Sequence, residues 1–252
     1  ADFQAGRYDL AEIDGPDSYV PSAWLCVGGT QDDADTVTLA PGDTVTCTIT
    51  NDDLGPGLTL IKEVINNHGG TAAPSAWTLN ASGPASFSGP GPSVSSEEEF
   101  EAGTYDLSES GGPDGYSASN WVCVGGSQDD ADTITLGLGE RAACTIRNDD
   151  DKPGLTLVKE VTNDNGGTAV PSDWTLIATG PTGFSGAGPT VSSGDNFEAG
   201  SYDLSESGGP DGYDSGDWSC VGGTQEDADT ITLAIGESAT CTLSNDDAEP
   251  SL

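Results

Sequence analysis

The amino-acid sequence repeats with a period of 97 residues, and this repeat constrains the fold more than any other feature. The segments WLCVGGTQDDADTVTL, WVCVGGSQDDADTITL and WSCVGGTQEDADTITL recur at this spacing, as do TCTITNDD, ACTIRNDD and TCTLSNDD. A period this long is the size of a small domain rather than of one solenoid turn. The chain is therefore predicted to be a row of similar domains joined by short linkers.

The phase of the repeat divides the chain into segments that we call repeat 1, repeat 2 and repeat 3. They are the C-terminal half of a first repeat, two full repeats and the start of a further linker: 1–53, 54–150, 151–247 and 248–252. Phe3 aligns with Phe100, and Leu252 aligns with Leu58. We interpret the sequence as a window cut from a longer array. The alternative is a mature subunit whose repeat 1 is completed by a neighbouring chain.

The residues between the turns predict short β-strands. Thr, Val and Ile dominate the periodic segments, and 36 Gly and 15 Pro punctuate the chain. The fold class is therefore all-β, with each full repeat of about 97 residues predicted to be an Ig-like antiparallel β-sandwich. Seven strands are predicted in repeat 2: 58–65, 76–82, 96–100, 104–109, 118–124, 133–137 and 142–148.

The charge of the chain excludes several classes of function. Six Lys and Arg against 43 Asp and Glu give a net charge of -37, and such a surface repels the phosphates of nucleic acids. No stretch approaches the length of an apolar membrane span. The single His, together with the lack of a nucleotide loop or a recurrent metal cluster, argues against an enzyme that acts on external substrates.

The cysteines are predicted to form one disulfide within each repeat. Six cysteines allow fifteen pairings, but each repeat holds two, so the economical set is Cys26–Cys47, Cys123–Cys144 and Cys220–Cys241. Each bond would contribute roughly 3 kcal/mol to stability. Two thiolates without a nearby His make a poor zinc site. Disulfides indicate an oxidising, extracellular setting.

Three polar residues fall on the apolar faces of predicted strands. In LTLIKEV, Lys62 has the parity of the leucines Leu58 and Leu60. Glu109 shares its face with Tyr105 and Leu107, and Asn148 shares its face with Cys144 and Ile146. The same three types recur in repeat 3, which indicates one buried constellation per repeat: Lys159, Glu206 and Asn245.

This constellation has two interpretations. In the first, a buried Lys–Glu pair is hydrogen-bonded to the Asn and adds little stability. In the second, desolvation lowers the pKa of the Lys, leaving a neutral amine nucleophile. The Glu, with a raised pKa, protonates and polarises the Asn carboxamide. Attack with loss of ammonia then forms an isopeptide bond, in a single turnover favoured by proximity.

The run G-x-Y-x-L-x-E-x-x-x-P-x-G-Y, at 103–116 and 200–213, resembles the signature of Cna-B/SpaA-type domains. These are prealbumin-like (transthyretin-like) sandwiches of bacterial surface proteins and pilins. The resemblance implies an isopeptide between Lys62 and Asn148 and between Lys159 and Asn245, promoted by Glu109 and Glu206. Repeat 1 departs from this pattern, since it has Glu12 and Asn51 but no lysine strand.

The acidic loops offer a second candidate site. Oxygen ligands suit calcium, but D-D-x-D lacks the spacing of an EF-hand loop, and charge runs are usually solvated faces. No cofactor is predicted, and calcium is the alternative. Its candidate ligands are Asp32, Asp33, Asp35, Asp129, Asp130, Asp132, Glu226, Asp227 and Asp229.

The leading functional hypothesis is structural. Repeats stapled by disulfides and isopeptides would form a stiff extracellular stalk, fibre or pilus-like filament at a bacterial surface, whose partners are further copies of the repeat or filament neighbours. The alternative is an adhesin module that grips a glycan, protein or surface through its acidic loops or through Trp77 and Trp174, although core packing is the commoner role for these Trp residues.

Overall fold

The computed structural model describes residues 4–251, so the alignments of Phe3 and Leu252 concern positions outside the described residues. The regular secondary structure of the described residues is β-strand, as predicted, apart from two short 3₁₀ helices at Pro74–Ala76 and Pro171–Asp173. Within 4–251, no helix has the length and apolar character of a membrane span.

The described residues of repeat 1, 4–53, form seven short strands. Its strands form a three-stranded sheet in the order β1-β5-β4 and two separate pairs, β2-β7 and β3-β6. The strands are β1 (Gly6–Asp9), β2 (Tyr19–Pro21), β3 (Leu25–Val27), β4 (Thr30–Gln31), β5 (Thr36–Leu39), β6 (Thr46–Thr48) and β7 (Asn51–Asp53).

Repeat 2 holds ten strands in two five-stranded sheets. The strands are β8 (Gly57–Ile65), β9 (Trp77–Ser82), β10 (Phe87–Pro90), β11 (Ser93–Ser95), β12 (Gly103–Gly111), β13 (Tyr116–Ala118), β14 (Val122–Val124), β15 (Ser127–Gln128), β16 (Thr133–Leu136) and β17 (Arg141–Asp150). One sheet has the order β10-β9-β12-β16-β15. The other has the order β11-β8-β17-β13, and β14 also pairs with β17.

Repeat 3 reproduces both sheets of repeat 2. Its strands are β18 (Gly154–Thr162), β19 (Trp174–Thr179), β20 (Phe184–Ala187), β21 (Thr190–Ser192), β22 (Gly200–Gly208), β23 (Tyr213–Ser215), β24 (Ser219–Val221), β25 (Thr224–Gln225), β26 (Thr230–Leu233) and β27 (Ser238–Asp247). The sheet orders are β20-β19-β22-β26-β25 and β21-β18-β27-β23, with β24 beside β27.

One strand pair in each full repeat is parallel, whereas a purely antiparallel sandwich was predicted. The first strand β8 runs parallel to the last strand β17, with Lys62 opposite Ile146 and Val64 opposite Asn148. In repeat 3, β18 and β27 pair in the same way. A parallel pair needs a long crossover connection, and here the whole repeat provides it. The two ends of each repeat therefore lie side by side.

The core of each full repeat lies between its two sheets. In repeat 2, Leu60 from one sheet and Leu79 and Tyr105 from the other are completely buried in the same cluster. Strand β8 alternates between more and less buried side chains, as its sequence predicts. A fully buried Leu stabilises the fold by about 2 kcal/mol relative to an exposed one. This packing holds the two sheets at a fixed separation around the polar groups described below.

The strand prediction for 96–100 is wrong. Residues 96–100 are turn and irregular structure, and two edge strands, β10 and β11, precede them. These edge strands are rich in Ser, Gly and Pro, so propensity did not identify them. The predicted strand 118–124 is two strands, β13 and β14, which pair with different parts of β17.

A disulfide joins neighbouring strands in each repeat. The bonded pairs are Cys26–Cys47, Cys123–Cys144 and Cys220–Cys241, each with a sequence separation of 21. In repeat 2 the bond links β14 to β17, directly across the ladder. The bond fastens the short strand β14 to β17, the strand that ends the repeat, and its Cys144 end is completely buried.

Candidate functional site

Lys62 lies inside the sandwich of repeat 2, as the parity of its strand predicts. Its side chain is completely buried, on the face of β8 that also buries Leu58 and Leu60. A buried ammonium without a partner would cost several kcal/mol. The structure provides that partner from the opposite sheet.

Glu109 on β12 connects the lysine to the asparagine. Its Oε2 atom lies 2.5 Å from Lys62 Nζ, and its Oε1 atom accepts a 2.8 Å hydrogen bond from Asn148 Nδ2. Asn148 is buried on β17, the strand parallel to β8. The carboxylate therefore bridges the amine of the first strand and the carboxamide of the last.

Repeat 3 brings together the three equivalent residues. Lys159 Nζ lies 2.8 Å from Glu206 Oε2, and Asn245 Nδ2 donates to Glu206 Oε1 at 2.8 Å. Lys159 and Asn245 are both buried. The recurrence shows that the arrangement belongs to the repeat and is not an accident of one domain.

A tryptophan covers each buried lysine. Lys62 Nζ lies 4.7 Å from the ring centroid of Trp77, and Lys159 Nζ lies 5.0 Å from that of Trp174. Both rings are buried, so neither can grip a surface ligand, and that part of the adhesin alternative is wrong. The rings exclude water from the amines and hold them by cation–π attraction.

The environment of the lysines favours the neutral amine. Burial lowers the pKa of Lys62, and the hydrogen bond and charge of Glu109 oppose this shift only in part. The pKa of Lys159 is lowered for the same reason, with Glu206 as the opposing group. A larger fraction of each amine is therefore available as a nucleophile than in a solvated lysine.

The asparagine carboxamides are only half satisfied. Among the described residues, neither Asn148 Oδ1 nor Asn245 Oδ1 has a hydrogen-bond partner, although both atoms are buried. A buried carbonyl oxygen without a donor is costly. Each site therefore has an unused acceptor at the atom that the isopeptide chemistry must polarise.

Repeat 1 contains only part of this site. Asn51 Nδ2 donates to Glu12 Oε1 at 2.5 Å, and both residues are exposed. The sequence of 1–53 contains no lysine. The structure therefore shows Glu12 and Asn51 in contact with each other, without a lysine beside them among residues 4–53.

A buried aspartate, at a position that the sequence patterns above do not single out, lies two residues beyond each asparagine. The Asp150 carboxylate accepts hydrogen bonds from the backbone amides of Asn67, His68 and Gly70 at 2.7–3.0 Å. Asp247 holds the equivalent loop of repeat 3 through the amides of 164, 165 and 167. The parity of β17 predicts a buried face for Asp150, because Asp150 lies two residues beyond the buried Asn148 on the same strand.

These loop contacts stabilise the ionised aspartate. Burial raises the pKa of Asp150, but the amides of Gly70, His68 and Asn67 outweigh it and hold the pKa below its usual value. The pKa of Asp247 is lowered by the equivalent amides against the effect of burial. A lowered carboxyl pKa means that the ionised form stabilises the fold.

Replacing Asp150 by Asn is expected to lower the free energy of local opening of the loop at 66–70 by about 2 kcal/mol, because three backbone amides lose a charged acceptor. The measurement is hydrogen exchange at Asn67, His68 and Gly70, with Asp149→Asn, an exposed neighbour, as the matched control. In the unsubstituted protein this protection is complete above the ordinary pKa of 3.8 and falls as the pH drops below it. Equal protection in both variants would contradict this role.

The carboxylates of the acidic loops take part in local hydrogen bonds. Gln128 orders the loop of repeat 2, with Nε2 donating to the carbonyls of Trp121 and Asp130, and Thr135 donates to Asp129. Two groups of described residues have ligand atoms close enough to share one metal ion. They lie outside the acidic loops and are His68/Asp149/Asp150 and Asp164/Asp246/Asp247. The predicted calcium ligands are not brought together into such a group.

Comparison with known proteins identifies relatives of all three repeats. Residues 1–49, 53–146 and 150–243 match the SpaA_2 family, described as a prealbumin-like fold domain. No curated protein matches the chain. The matched stretches give one family domain for each repeat.

Several solved structures are similar to the chain at low identity. The Bacillus anthracis TIE protein is 13% identical with a TM-score of 0.46, and the alignment covers 96% of this chain but 52% of that protein, about half its length. The major pilin T3.2 of Streptococcus pyogenes is 14% identical with a TM-score of 0.36, over 76% and 97% of the two chains. A C-terminal fragment of the pilus adhesin SpaC from Lactobacillus rhamnosus GG is 13% identical with a TM-score of 0.39, over 78% and 98%.

Proposed function

Since this chain belongs to the SpaA_2 family of prealbumin-like fold domains, we propose that it is a structural part of a bacterial surface stalk or pilus-like filament. In this role, repeats 2 and 3 are stapled internally by a Lys–Asn isopeptide and a disulfide. The observation that carries the proposal is the buried Lys–Glu–Asn group found in both full repeats. Its partners are further copies of the repeat, outside the cell.

The proposed bond forms without any external reagent. Lys62 Nζ attacks Asn148 Cγ, the bond from Cγ to Nδ2 breaks, and ammonia leaves. Glu109 lies between the two groups, so it can take a proton from the amine and deliver one to the departing nitrogen. The lowered pKa of Lys62, caused by burial, favours the attacking form. Each repeat reacts once with itself, so no turnover of an external substrate is proposed.

The position of the bond suits a load-bearing element. Lys62 is on the strand that begins repeat 2, and Asn148 is on the strand that ends it. These strands are parallel neighbours, so tension along the chain would shear them apart. An isopeptide here would carry the load through two side chains and spare the residues between them.

The adhesin alternative has weaker support. Trp77 and Trp174 are buried, and the acidic loops use Asp129 and Gln128 for internal hydrogen bonds. The carboxylates of these loops are exposed, and the described residues that lie close enough to share one ion belong to other segments of the chain. A stalk therefore accounts for the buried group that recurs in repeats 2 and 3, whereas a binding module does not.

Peptide mapping of two single variants tests the proposal. Glu109→Gln is expected to remove the branched Lys62–Asn148 peptide and to leave the Lys159–Asn245 peptide, because Gln cannot exchange protons as Glu does. Glu206→Gln is expected to give the reverse, so each repeat is the control for the other. Branched peptides that persist at both sites in either variant would contradict the role of the glutamates.

A further inference from the structure

The linker between repeats 2 and 3 is bonded to both of them. The amide of Asp151 donates to the carbonyl of Gly115 in repeat 2 at 2.8 Å, and the amide of Gly236 in repeat 3 donates to the carbonyl of Asp151 at 2.6 Å. Ser117 Oγ also donates to Asp151 Oδ1 at 2.6 Å. A linker with these bonds at one residue has little freedom to act as a hinge.

The joint between repeats 1 and 2 has the same backbone bonds. The amide of Leu54 donates to the carbonyl of Ser18 at 2.8 Å, and the amide of Gly139 donates to the carbonyl of Leu54 at 2.6 Å. Leu54 is the equivalent of Asp151 in the 97-residue period. The two joints therefore share this pair of backbone hydrogen bonds in spite of different linker side chains.

Repeat 2 makes two further close contacts with repeat 3. The carbonyl of His68, in the loop held by Asp150, accepts a 2.7 Å hydrogen bond from the amide of Ala199. A methyl group on Gly69 would lie 2.8 Å from that same amide nitrogen, and one on Gly115 would lie 2.5 Å from Ile235 Cγ1. Both distances are too short for any side chain, so repeat 3 approaches repeat 2 as closely as glycine allows.

Repeat 3 presents the equivalent glycines without a neighbour. Gly166 and Gly212 have φ angles of +98° and +86°, close to the +96° and +82° of Gly69 and Gly115. A methyl group on either would meet no atom within 4 Å. The positive φ angle thus favours glycine at all four positions. Of these four, only Gly69 and Gly115 also lie against another repeat, which leaves no room for a side chain.

We propose that Gly69 and Gly115 form a docking surface for the following repeat, and that this contact fixes the angle between repeats 2 and 3. The partner surface consists of a small residue, Ala199, and a branched apolar one, Ile235. This inference adds a rigid joint to the proposed stalk. It does not depend on the isopeptide, which lies inside one repeat, so either idea can fail alone.

The test compares two double variants that impose the same backbone strain. Gly69→Ala with Gly115→Ala introduces methyl groups into the joint, whereas Gly166→Ala with Gly212→Ala places them where nothing is in contact. Nitroxide labels at the exposed positions 88 and 185 report the distance between repeats 2 and 3 by double electron–electron resonance. The unsubstituted protein and the second variant are expected to give one narrow distance. The first variant is expected to lose it and to give a broad distribution.

A variant on the other side of the joint keeps the test decisive if the glycine variant folds poorly. Ile235→Ala removes the apolar contact while leaving both glycines in place, and it too is expected to broaden the distance distribution. A broad distribution in the unsubstituted protein would overturn the inference. So would equal broadening by both glycine variants, because turn strain rather than docking would then set the angle. A narrow distance distribution both in Ile235→Ala and in the Gly69→Ala, Gly115→Ala double variant would also overturn the inference.

Discussion

Repeats 2 and 3 are expected to keep their folded length when the chain is pulled from handles at positions 54 and 248. The load enters repeat 2 through β8 and leaves through β17, the two strands that the proposed Lys62–Asn148 bond would join. A covalent bond between them withstands forces that shear hydrogen-bonded strands apart. Single-molecule force spectroscopy measures this as the absence of unfolding steps.

The double variant Glu109→Gln with Glu206→Gln is expected to show two unfolding steps under the same load. In repeat 2, the step would come from the extension of residues 62–148. The disulfide keeps its loop, with a sequence separation of 21, closed, so the gain in length is roughly 230 Å at ~3.5 Å per residue. Steps of this size in the unsubstituted protein would contradict the crosslink. Their absence from the variant would show that the glutamates are not needed for mechanical resistance.

Removal of one disulfide has the second large expected effect. The experiment uses the Glu109→Gln, Glu206→Gln double variant, in which no isopeptide is expected to oppose unfolding. In this background, Cys123→Ala with Cys144→Ala is expected to lower the unfolding free energy of repeat 2 by about 3 kcal/mol. The bond closes a loop with a sequence separation of 21 and fastens β14 to the buried face of β17. Denaturant titration measures the loss, which should appear as a separate early transition.

Repeat 3 is the internal control for the disulfide experiment. Its Cys220–Cys241 bond has the same separation and joins the equivalent strands, so its transition should stay in place. In the force experiment, the same cysteine variant should lengthen the step of repeat 2 by about 70 Å, because the closed loop is freed. A single shared transition at the original denaturant concentration would show that the bond adds little stability.

The sequence predicted the candidate site better than it predicted the sheet edges. Side-chain parity places Lys62, Glu109 and Asn148 on inner faces, because a strand of period two leaves only two choices for each residue. Parity does not predict that the three residues meet, because Glu109 lies on the opposite sheet from Lys62 and Asn148. Only the recurrence of all three residue types in repeat 3 indicates that they form one group. The structure brings them within hydrogen-bonding distance.

Other features could not be predicted because their partners are distant in sequence. Asp150 is buried since its charge is satisfied by amides about 80 residues earlier, in a loop that resembles any polar turn. Strands β10 and β11 form from Ser, Gly and Pro because neighbouring strands supply the hydrogen bonds. The parallel pairing of β8 and β17 follows from the crossover of the whole repeat rather than from either strand.

The accurate mass of the reduced, denatured protein tests directly whether the isopeptides form. We expect a mass below that of the sequence by one ammonia for each full repeat, with Lys62 joined to Asn148 and Lys159 joined to Asn245. An unmodified mass would contradict it. The buried lysines would then be ion-pair partners of Glu109 and Glu206, and the disulfides alone would staple the repeats.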